Sequence, residues 1–286
     1  GLAPDQVLVL VNGKRRHISS LLNLNGSVGR GSAGVDMNTI PALAIDRIEV
    51  LRDGAASQYG SDAIAGVINI QLKKREGGRA QATFGKYITT MEDVAQVASV
   101  APTTGASDSP AITFTGNDRK RRDGETITLA SNFGLPVGDS AYVNVTAEYK
   151  DRDPTNRSGP DPRRNYAGVG DPRETTFNRY AHRFGDGKSE DFHLVLNTGA
   201  DLGGAFEIYG FGSYGKRKGN GAGFYRRSLD ARNTDFANGG VPFYPDGFLP
   251  LINSDIEDIA ATLGVRGDAG GWGLDPSGGY GTPRPH

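Results

Sequence analysis

Apolar and polar positions follow one rule up to about residue 77 and another beyond it. In the first part, Val7 to Val11 is an unbroken apolar run that predicts a buried strand, and Asn12-Gly13 behind it is a tight-turn signal. Lys14 to Ile18 is expected to return as a second strand. Asn23 to Asp36 is rich in Gly, Ser and Asn and predicts a loop, after which Asn38 or Thr39 can cap a short helix with Pro41 in its early turn. Arg47 to Leu51 alternates as a strand does, Asp53-Gly54 turns the chain, and Ala55 to Tyr59 reads as a helical turn closed by Gly60. Gly66 to Leu72 is a further strand.

Beyond residue 77 the strands become one-sided. Ala80, Ala82 and Phe84 alternate with polar or bare positions, as do Ile127, Leu129, Phe133 and Leu135; Val143, Val145 and Ala147; and Phe192, Leu194 and Leu196. Ala205 to Tyr214 is strand-like by aromatic content, and a weaker strand is expected near Ala261 to Arg266. Tight turns at Pro136–Asp139 and Gly203-Gly204 alternate with long polar segments at about 88–125, 151–190 and 217–260. Connections in compact domains usually run about 4 to 6 residues, whereas transmembrane β-barrels pair short turns on one side with long loops on the other. A soluble antiparallel sandwich with long loops, such as a carbohydrate-binding β-domain, is the competing reading, because a one-sided strand suits either solvent.

Composition narrows the classes. Mean hydropathy is −0.45 and 42 of 286 residues are glycine, while no apolar run approaches the roughly 18 residues of a transmembrane helix. Lys plus Arg total 32 against 33 for Asp plus Glu, so no overall basic field points to nucleic acid. With no cysteine, the chain has neither a disulfide framework nor a thiolate site. The four histidines show no metal-binding i,i+4 pair, and neither a G-x-S-x-G elbow nor an HExxH motif occurs. No catalytic residue and no cofactor are therefore expected. Gly29-x-Gly31-x-x-Gly34 matches the dinucleotide pattern by spelling alone, since it follows no strand.

The segment Ile45-Asp46-Arg47-Ile48-Glu49-Val50-Leu51-Arg52-Asp53-Gly54-Ala55-Ala56-Ser57-Gln58-Tyr59-Gly60-Ser61-Asp62-Ala63-Ile64-Ala65-Gly66-Val67-Ile68-Asn69-Ile70 resembles the end of the plug domain of TonB-dependent outer-membrane receptors. Val7 to Gly13 is similar to the strand and turn of that plug. The resemblance implies a mixed α+β plug domain over residues 1–76, followed over 77–286 by antiparallel transmembrane β-barrel strands with long extracellular loops. Six or seven strands cannot close a barrel of about 22, so an incomplete barrel is expected. On this reading the chain is a segment of a longer receptor, with a signal peptide, a TonB box and earlier plug strands ahead of Gly1 and further barrel strands behind His286. Neither proline of Thr282-Pro283-Arg284-Pro285-His286 can donate to a ladder, so this stretch is expected to end the last strand.

What the resemblance further implies is energised transport across the outer membrane of a Gram-negative bacterium. The partners would be the TonB-ExbB-ExbD complex, outer-membrane lipid and a small nutrient. A ferric siderophore leads, with cobalamin or a glycan behind it. Two plug segments would face the outer vestibule and touch the ligand: the loop with Asn25, Ser27, Arg30 and Ser32, and the turn with Ser57, Gln58 and Tyr59. The pattern Phe224-Tyr225-Arg226-Arg227 adds Tyr225, Arg226 and Arg227, since Arg and aromatic side chains suit an anionic, ring-bearing ligand through paired hydrogen bonds and stacking. A solvated loop is the plainer reading of that stretch. Glu49 and Arg52 are expected to help lock the plug to the barrel, with partners outside this chain. His193 falls on the polar side of its strand and is expected to face the barrel lumen.

Overall fold

The computed structural model of the chain describes residues 3–23, 29–52, 56–75, 77–102, 105 and 109–285. Its N-terminal part is a four-stranded sheet built from β1 (Val7–Val11), β2 (Lys14–Arg15), β3 (Ile45–Leu51) and β4 (Gly66–Leu72), in the order β2-β1-β4-β3. A single helical turn, α1 (Ala56–Tyr59), lies between β3 and β4. β1 runs parallel to β4, from Val7↔Gly66 to Val11↔Ile70, and so occupies the middle of the sheet.

That position explains the unbroken apolar run, because both faces of a central strand are covered. Leu8 and Leu10 pack with Ala63 and Val67 on one side, while Val9 and Val11 pack with Ile40, Ile70 and Leu72 on the other. Gly66 opens β4 at φ +127°, and a Cβ there would lie 2.6 Å from the Leu51 carbonyl oxygen. Only glycine lets β4 start so close to the end of β3. The returning strand is shorter than expected, two residues instead of five. The helix foreseen around Pro41 consists of two short 3-10 turns, the first capped by the Asp36 carboxylate on the Asn38 N–H.

From Gly77 the chain forms one eight-stranded antiparallel sheet. Its members are β5 (Gly77–Ala101), β6 (Ala111–Val137), β7 (Ala141–Arg152), β8 (Lys188–Asp201) and β9 (Phe206–Ala222). After the small pair β10 (Thr234–Asp235) and β11 (Val241–Pro242) come β12 (Leu251–Ala269), β13 (Trp272–Leu274) and β14 (Ser277–Pro285). The order is β13-β12-β9-β8-β7-β6-β5, with β14 beside β13 on the same flank of β12, and the sheet does not close.

Burial along these strands is inverted relative to a water-soluble protein. On β8, Phe192, Leu194 and Leu196 are about 40% exposed, whereas Asp191, His193 and Asn197 are nearly fully covered. The cross-strand register carries the same split across the sheet, pairing Leu194 with Ala147 and Tyr214, and Leu129 with Tyr149 and Ala82. The polar row faces the N-terminal sheet, His193 included, and the apolar row faces away from it.

Two expectations are corrected. Residues 88–125 are not a loop: β5 and β6 run for 25 and 27 residues and form a ribbon well past the end of β7. Both faces of the ribbon's far part carry mostly polar side chains, so it lacks alternation, yet backbone pairing needs none. The proline-containing end also continues as a strand, with Pro283 opposite Asp258 and Pro285 opposite Ile256. β14 is bonded to β12 alone, and an edge strand needs ladder donors on one side only. The expected weak strand at Ala261–Arg266 is the inner part of the 19-residue β12.

Candidate functional site

The N-terminal sheet meets the large sheet along a seam that is apolar in its middle and charged around it. Val9, Val11, Ile40, Ala44, Ile70 and Leu72 pack against Val195, Tyr209 and Phe211 of the wall. Just after β2, the Arg16 guanidinium donates to Asp258 Oδ1 at 2.7 Å and to Ser213 Oγ at 2.9 Å, with both partners of the ion pair nearly fully buried. His17 Nε2 lies 3.2 Å from the other Asp258 oxygen. Burial drags the Arg16 guanidinium below its ordinary range and Asp258 pulls it back; an arginine stays charged regardless.

A second pair runs the opposite way. Arg217 of the wall donates to Asp36 Oδ2 of the N-terminal part at 2.6 Å and also binds Asp191 beside it on β8. Neutral contacts extend the seam: Asn12 Nδ2 donates to Asn197 Oδ1 at 3.2 Å, and the Asn197 and Asn144 side-chain amides donate to the Lys73 and Lys74 carbonyls at 2.8 and 3.0 Å. At the side of the short turns, Lys14 pairs with Asp275 at 2.9 Å. A cavity of about 240 Å³ follows the seam, lined among others by Arg16, His17, Phe211 and Gly281.

Glu49 and Arg52 do not meet the described wall. Glu49 is exposed and bonded to Arg47 and Asn69, both within the N-terminal sheet, and these two hold its carboxyl below the usual range, Asn69 more than Arg47. Arg52 is exposed as well. The charged residues that do span the seam, Arg16, Asp36, Arg217 and Asp258, carried no motif. They are far apart in sequence, and only the clustering of basic residues at Lys14–His17 hinted at them.

Of the expected ligand-facing residues, Asn25 and Ser27 lie outside the described residues. Arg30 is exposed at the tip of a turn, while Ser32 is buried and donates its hydroxyl to the Gly29 carbonyl at 2.6 Å, closing that same turn. Ser57, Gln58 and Tyr59 are exposed on α1, at the end of the sheet where β3 stops and β4 begins. Tyr225, Arg226 and Arg227 lie apart from both segments in the chain, in the connection after β9.

Those three help to frame a compact cap. The connections 153–187 and 223–250 are interlocked rather than separately solvated. Tyr225 is buried between Phe177 and His182, and its hydroxyl donates to the Asp246 carbonyl at 2.5 Å. Burial, reinforced by Asp246, pushes the Tyr225 phenol up to about 12. Arg226 pairs through its backbone with Phe248, and Arg227 donates to the Arg164 carbonyl at 2.9 Å. Beneath them, Glu174 accepts from the Asn165 and Tyr166 backbone N–H groups and pairs with the buried Arg179. Tyr166 donates to Asp246 Oδ1 at 2.7 Å, tying the two connections together. Four arginines of the first connection, Arg157, Arg163, Arg173 and Arg179, are thus paired internally, with Asp123, Asp161, Asp171 and Glu174. The outward aromatics include Phe184 and Phe224, which flank His182, and Phe236, Phe243 and Tyr244.

The N-terminal sheet is thus held by buried charge pairs against the polar face of an open antiparallel sheet whose apolar row faces away from it. The family model described as TonB-dependent Receptor Plug Domain matches residues 1–67. A probable TonB-dependent siderophore receptor of Acinetobacter baumannii is 43% identical over 74 residues, 26% of this chain and 10% of that protein. A vitamin B12 transporter of Vibrio cholerae is 47% identical over 76 residues, with the same 26% and 10% coverage. Among solved structures, a mutant ferric enterobactin receptor of Pseudomonas aeruginosa superposes with a TM-score of 0.50 at 15% identity, which speaks for fold alone. It covers 99% of this chain and 42% of that one. The chain thus spans well under two thirds of the relatives it matches. Residues 1–67 match the plug domain of TonB-dependent receptors, and the strands behind them form one open antiparallel sheet.

Two outcomes follow from this geometry. Asp258→Ala strands a buried guanidinium and is expected to cost about 3 to 5 kcal/mol, while Arg16→Met combined with Asp258→Leu costs far less. Urea denaturation of the full-length receptor in detergent measures both. In the cap, burial alone would raise the Asp161 carboxyl, but hydrogen bonds from Arg163 and the charges of Arg163 and His182 outweigh it and hold the group below its ordinary value. A depressed carboxyl stabilises the fold fully above its unfolded value of about 3.9 and loses that contribution as pH falls through the lowered one. Hydrogen exchange at the Asp161 amide, bonded to the Arg179 carbonyl at 2.7 Å, should therefore keep its protection from neutral pH to about 5 and lose it only below about 4.

Proposed function

We propose that the receptor containing this chain imports a scarce nutrient, a ferric siderophore, across the outer membrane of a Gram-negative bacterium. The reading divides the chain into plug (1–76) and barrel wall (77–286), a division supported by the change from one sheet to the other after Leu72. The observation that carries it is the plug domain seated against a wall whose apolar row faces away from the plug and whose polar row is covered by it. An outward row without charge fits the lipid core, where a Lys or Arg would cost about 2 to 4 kcal/mol. The TonB-ExbB-ExbD complex supplies the energy, acting on a TonB box in the whole receptor, and the seam charges resist displacement of the plug until that force is applied.

The siderophore class is supported by relatives named as siderophore and ferric enterobactin receptors. A second reading, cobalamin, is favoured by the vitamin B12 transporters among the relatives. Both are matched over the plug, which such receptors share, so the ligand class rests on the cap and the apical plug loops. The relatives named are receptors and transporters, and covalent chemistry forms no part of the mechanism.

Uptake by cells expressing the full-length receptor as their sole receptor decides between the classes. Ferric catecholate, ferric citrate and cyanocobalamin are offered as separate probes, with and without a functional tonB gene. Accumulation of a ferric complex that disappears without TonB is expected; TonB-independent uptake would sink the mechanism, and uptake of cyanocobalamin alone would reassign the ligand. Arg30, exposed in its loop, and Tyr59, exposed on α1, are proposed to contact the ligand together with Ser32, Ser57 and Gln58. Arg30→Ala with Tyr59→Ala is expected to weaken ligand binding by tenfold or more, corresponding to roughly 1.4 kcal/mol. Unchanged affinity by equilibrium titration would remove these loops from the site.

A further inference from the structure

We propose that Asn238-Gly239, at the tip of the β10–β11 hairpin, is a deamidation site, where the folded receptor loses a side-chain amide and gains an aspartyl or isoaspartyl carboxylate. The sequence holds four Asn-Gly pairs, at Asn12, Asn25, Asn220 and Asn238, of which Asn25 lies outside the described residues. A glycine after asparagine leaves the main-chain nitrogen open to the neighbouring side chain, because no Cβ stands in the way. Spelling alone ranks the pairs as equals. Their surroundings do not.

Two of the three described pairs are clamped. Asn12 donates its amide to Asn197 Oδ1 at 3.2 Å and accepts from the Leu72 N–H at 2.9 Å, while the Gly13 N–H is given to Asn69 Oδ1 at 3.0 Å. Asn220 and Gly221 lie in the ladder of β9, opposite Asn253 and Ile252. The Asn220 amide donates to Asn253 Oδ1 at 2.6 Å, and its oxygen accepts from Arg183 at 2.9 Å. In each pair the side-chain amide is bonded at both ends. Bringing the glycine nitrogen onto the asparagine Cγ would break several of these bonds together.

Asn238 has little of this support. It ends a single 3-10 turn, Phe236–Asn238, and both it and Gly239 are exposed. Gly239 follows at φ +85°, and its N–H makes no hydrogen bond among the described residues; the next bond of the loop runs from the Gly240 N–H to the Asp235 carbonyl at 2.8 Å. The Asn238 side chain is held at one end only, by the Asp235 carboxylate, which accepts an amide N–H at 2.6 Å. The step itself needs only base and water. Base removes the Gly239 N–H proton, the nitrogen attacks Asn238 Cγ to close a five-membered succinimide, and the Cγ–Nδ2 bond breaks as the nitrogen takes up a proton and leaves as ammonia. Water then opens the ring: attack at Cγ gives aspartate, and attack at the main-chain carbonyl gives isoaspartate, whose main chain runs through the former side chain.

The product does not fit the turn. Asp235 also accepts from the Ala237 and Asn238 backbone N–H groups, so a carboxylate in place of the amide sets two negative charges where a hydrogen bond was. An isoaspartyl link lengthens the main chain of a loop closed by only two residue pairs, Thr234↔Pro242 and Asp235↔Val241. The tip, which carries the exposed Phe236, therefore loosens once and irreversibly. Its base stays closed: buried Asn233 accepts from the Phe243 and Tyr244 N–H groups and donates to the Tyr244 carbonyl at 2.8 Å.

The test ages the full-length receptor, folded in detergent, in mildly alkaline buffer made with heavy-oxygen water. Peptide mapping by mass spectrometry follows label entering each Asn-Gly site, and isoaspartyl methyltransferase marks the isoaspartate. The Asn238 peptide is expected to convert about tenfold or more faster than those of Asn12 and Asn220, the factor that about 1.4 kcal/mol of local opening imposes on the held pairs. In urea, where every pair is released, the three should convert at similar rates. Hydrogen exchange across residues 234–242 should rise in the aged wild type and stay constant in Asn238→Gln, which keeps an amide but closes a ring far more slowly. Equal rates in the folded receptor, conversion at Asn12 or Asn220 ahead of Asn238, or no label at Asn238 each overturns the proposal. Unchanged exchange in fully converted receptor overturns the loosening of the tip. None of these readouts involves the transported ligand, so their failure leaves the transport reading as it stands.

Discussion

The structure depends on one constraint: a sheet whose polar face must be covered and whose apolar face must not be. In water that arrangement is unstable, since hydrophobic side chains on the open face gain nothing from folding. It becomes stable when lipid takes the apolar face and a second folded element takes the polar one. The plug domain is that second element here. On this row Asn197 meets Asn12 and the Lys73 carbonyl, Asp258 meets Arg16, and Asp191 is tied to the plug through Arg217, which also pairs with Asp36. Without the plug, Asn197 and Asp258 would need water in place of these partners.

The way the two parts are joined has consequences for movement. A purely apolar seam would slide with little resistance and be hard to register, whereas Arg16–Asp258 and Arg217–Asp36 place a cation from each side against a carboxylate of the other. Buried pairs of this kind contribute modestly to net stability, yet breaking one partner away is expensive, because a charge is left dry. Resistance to displacement is therefore concentrated at a few points, while the apolar contact at Val11, Ile40 and Phe211 fixes the approach. The cap is built on the same logic. Glu174 and Asp246 are acceptors shared by several donors, and they turn two long connections into a single body.

Much of the fold could be read from the chain because two of its signals are local. The unbroken run Val7–Val11 required a strand covered on both faces, and the period-two alternation at Phe192–Leu196 required a sheet facing two different environments. Along residues 88–101 and 111–122 both faces carry polar side chains, so alternation vanishes, and a sequence that reads as a loop forms the long ribbon. The aromatic and basic residues near 224–227 were visible as a cluster, but their roles were not. Tyr225 is spent on Phe177, His182 and Asp246, and Arg227 on a carbonyl, while Phe224 is turned outward.

By itself, the sequence determined the plug motif, the one-sidedness of the strands, the alternation of tight turns with long connections, and the absence of any helix-length apolar span. Each is a property of neighbours along the chain: backbone dihedrals at Gly and Asn-Gly, and side chains that alternate with the pleat. Tertiary structure alone decided which face of the wall the plug covers and which arginines meet which carboxylates. Arg16 and Asp258 are separated by 242 positions. No local preference encodes such a pair; it exists because two sheets, each specified locally, bury their faces against each other at one register.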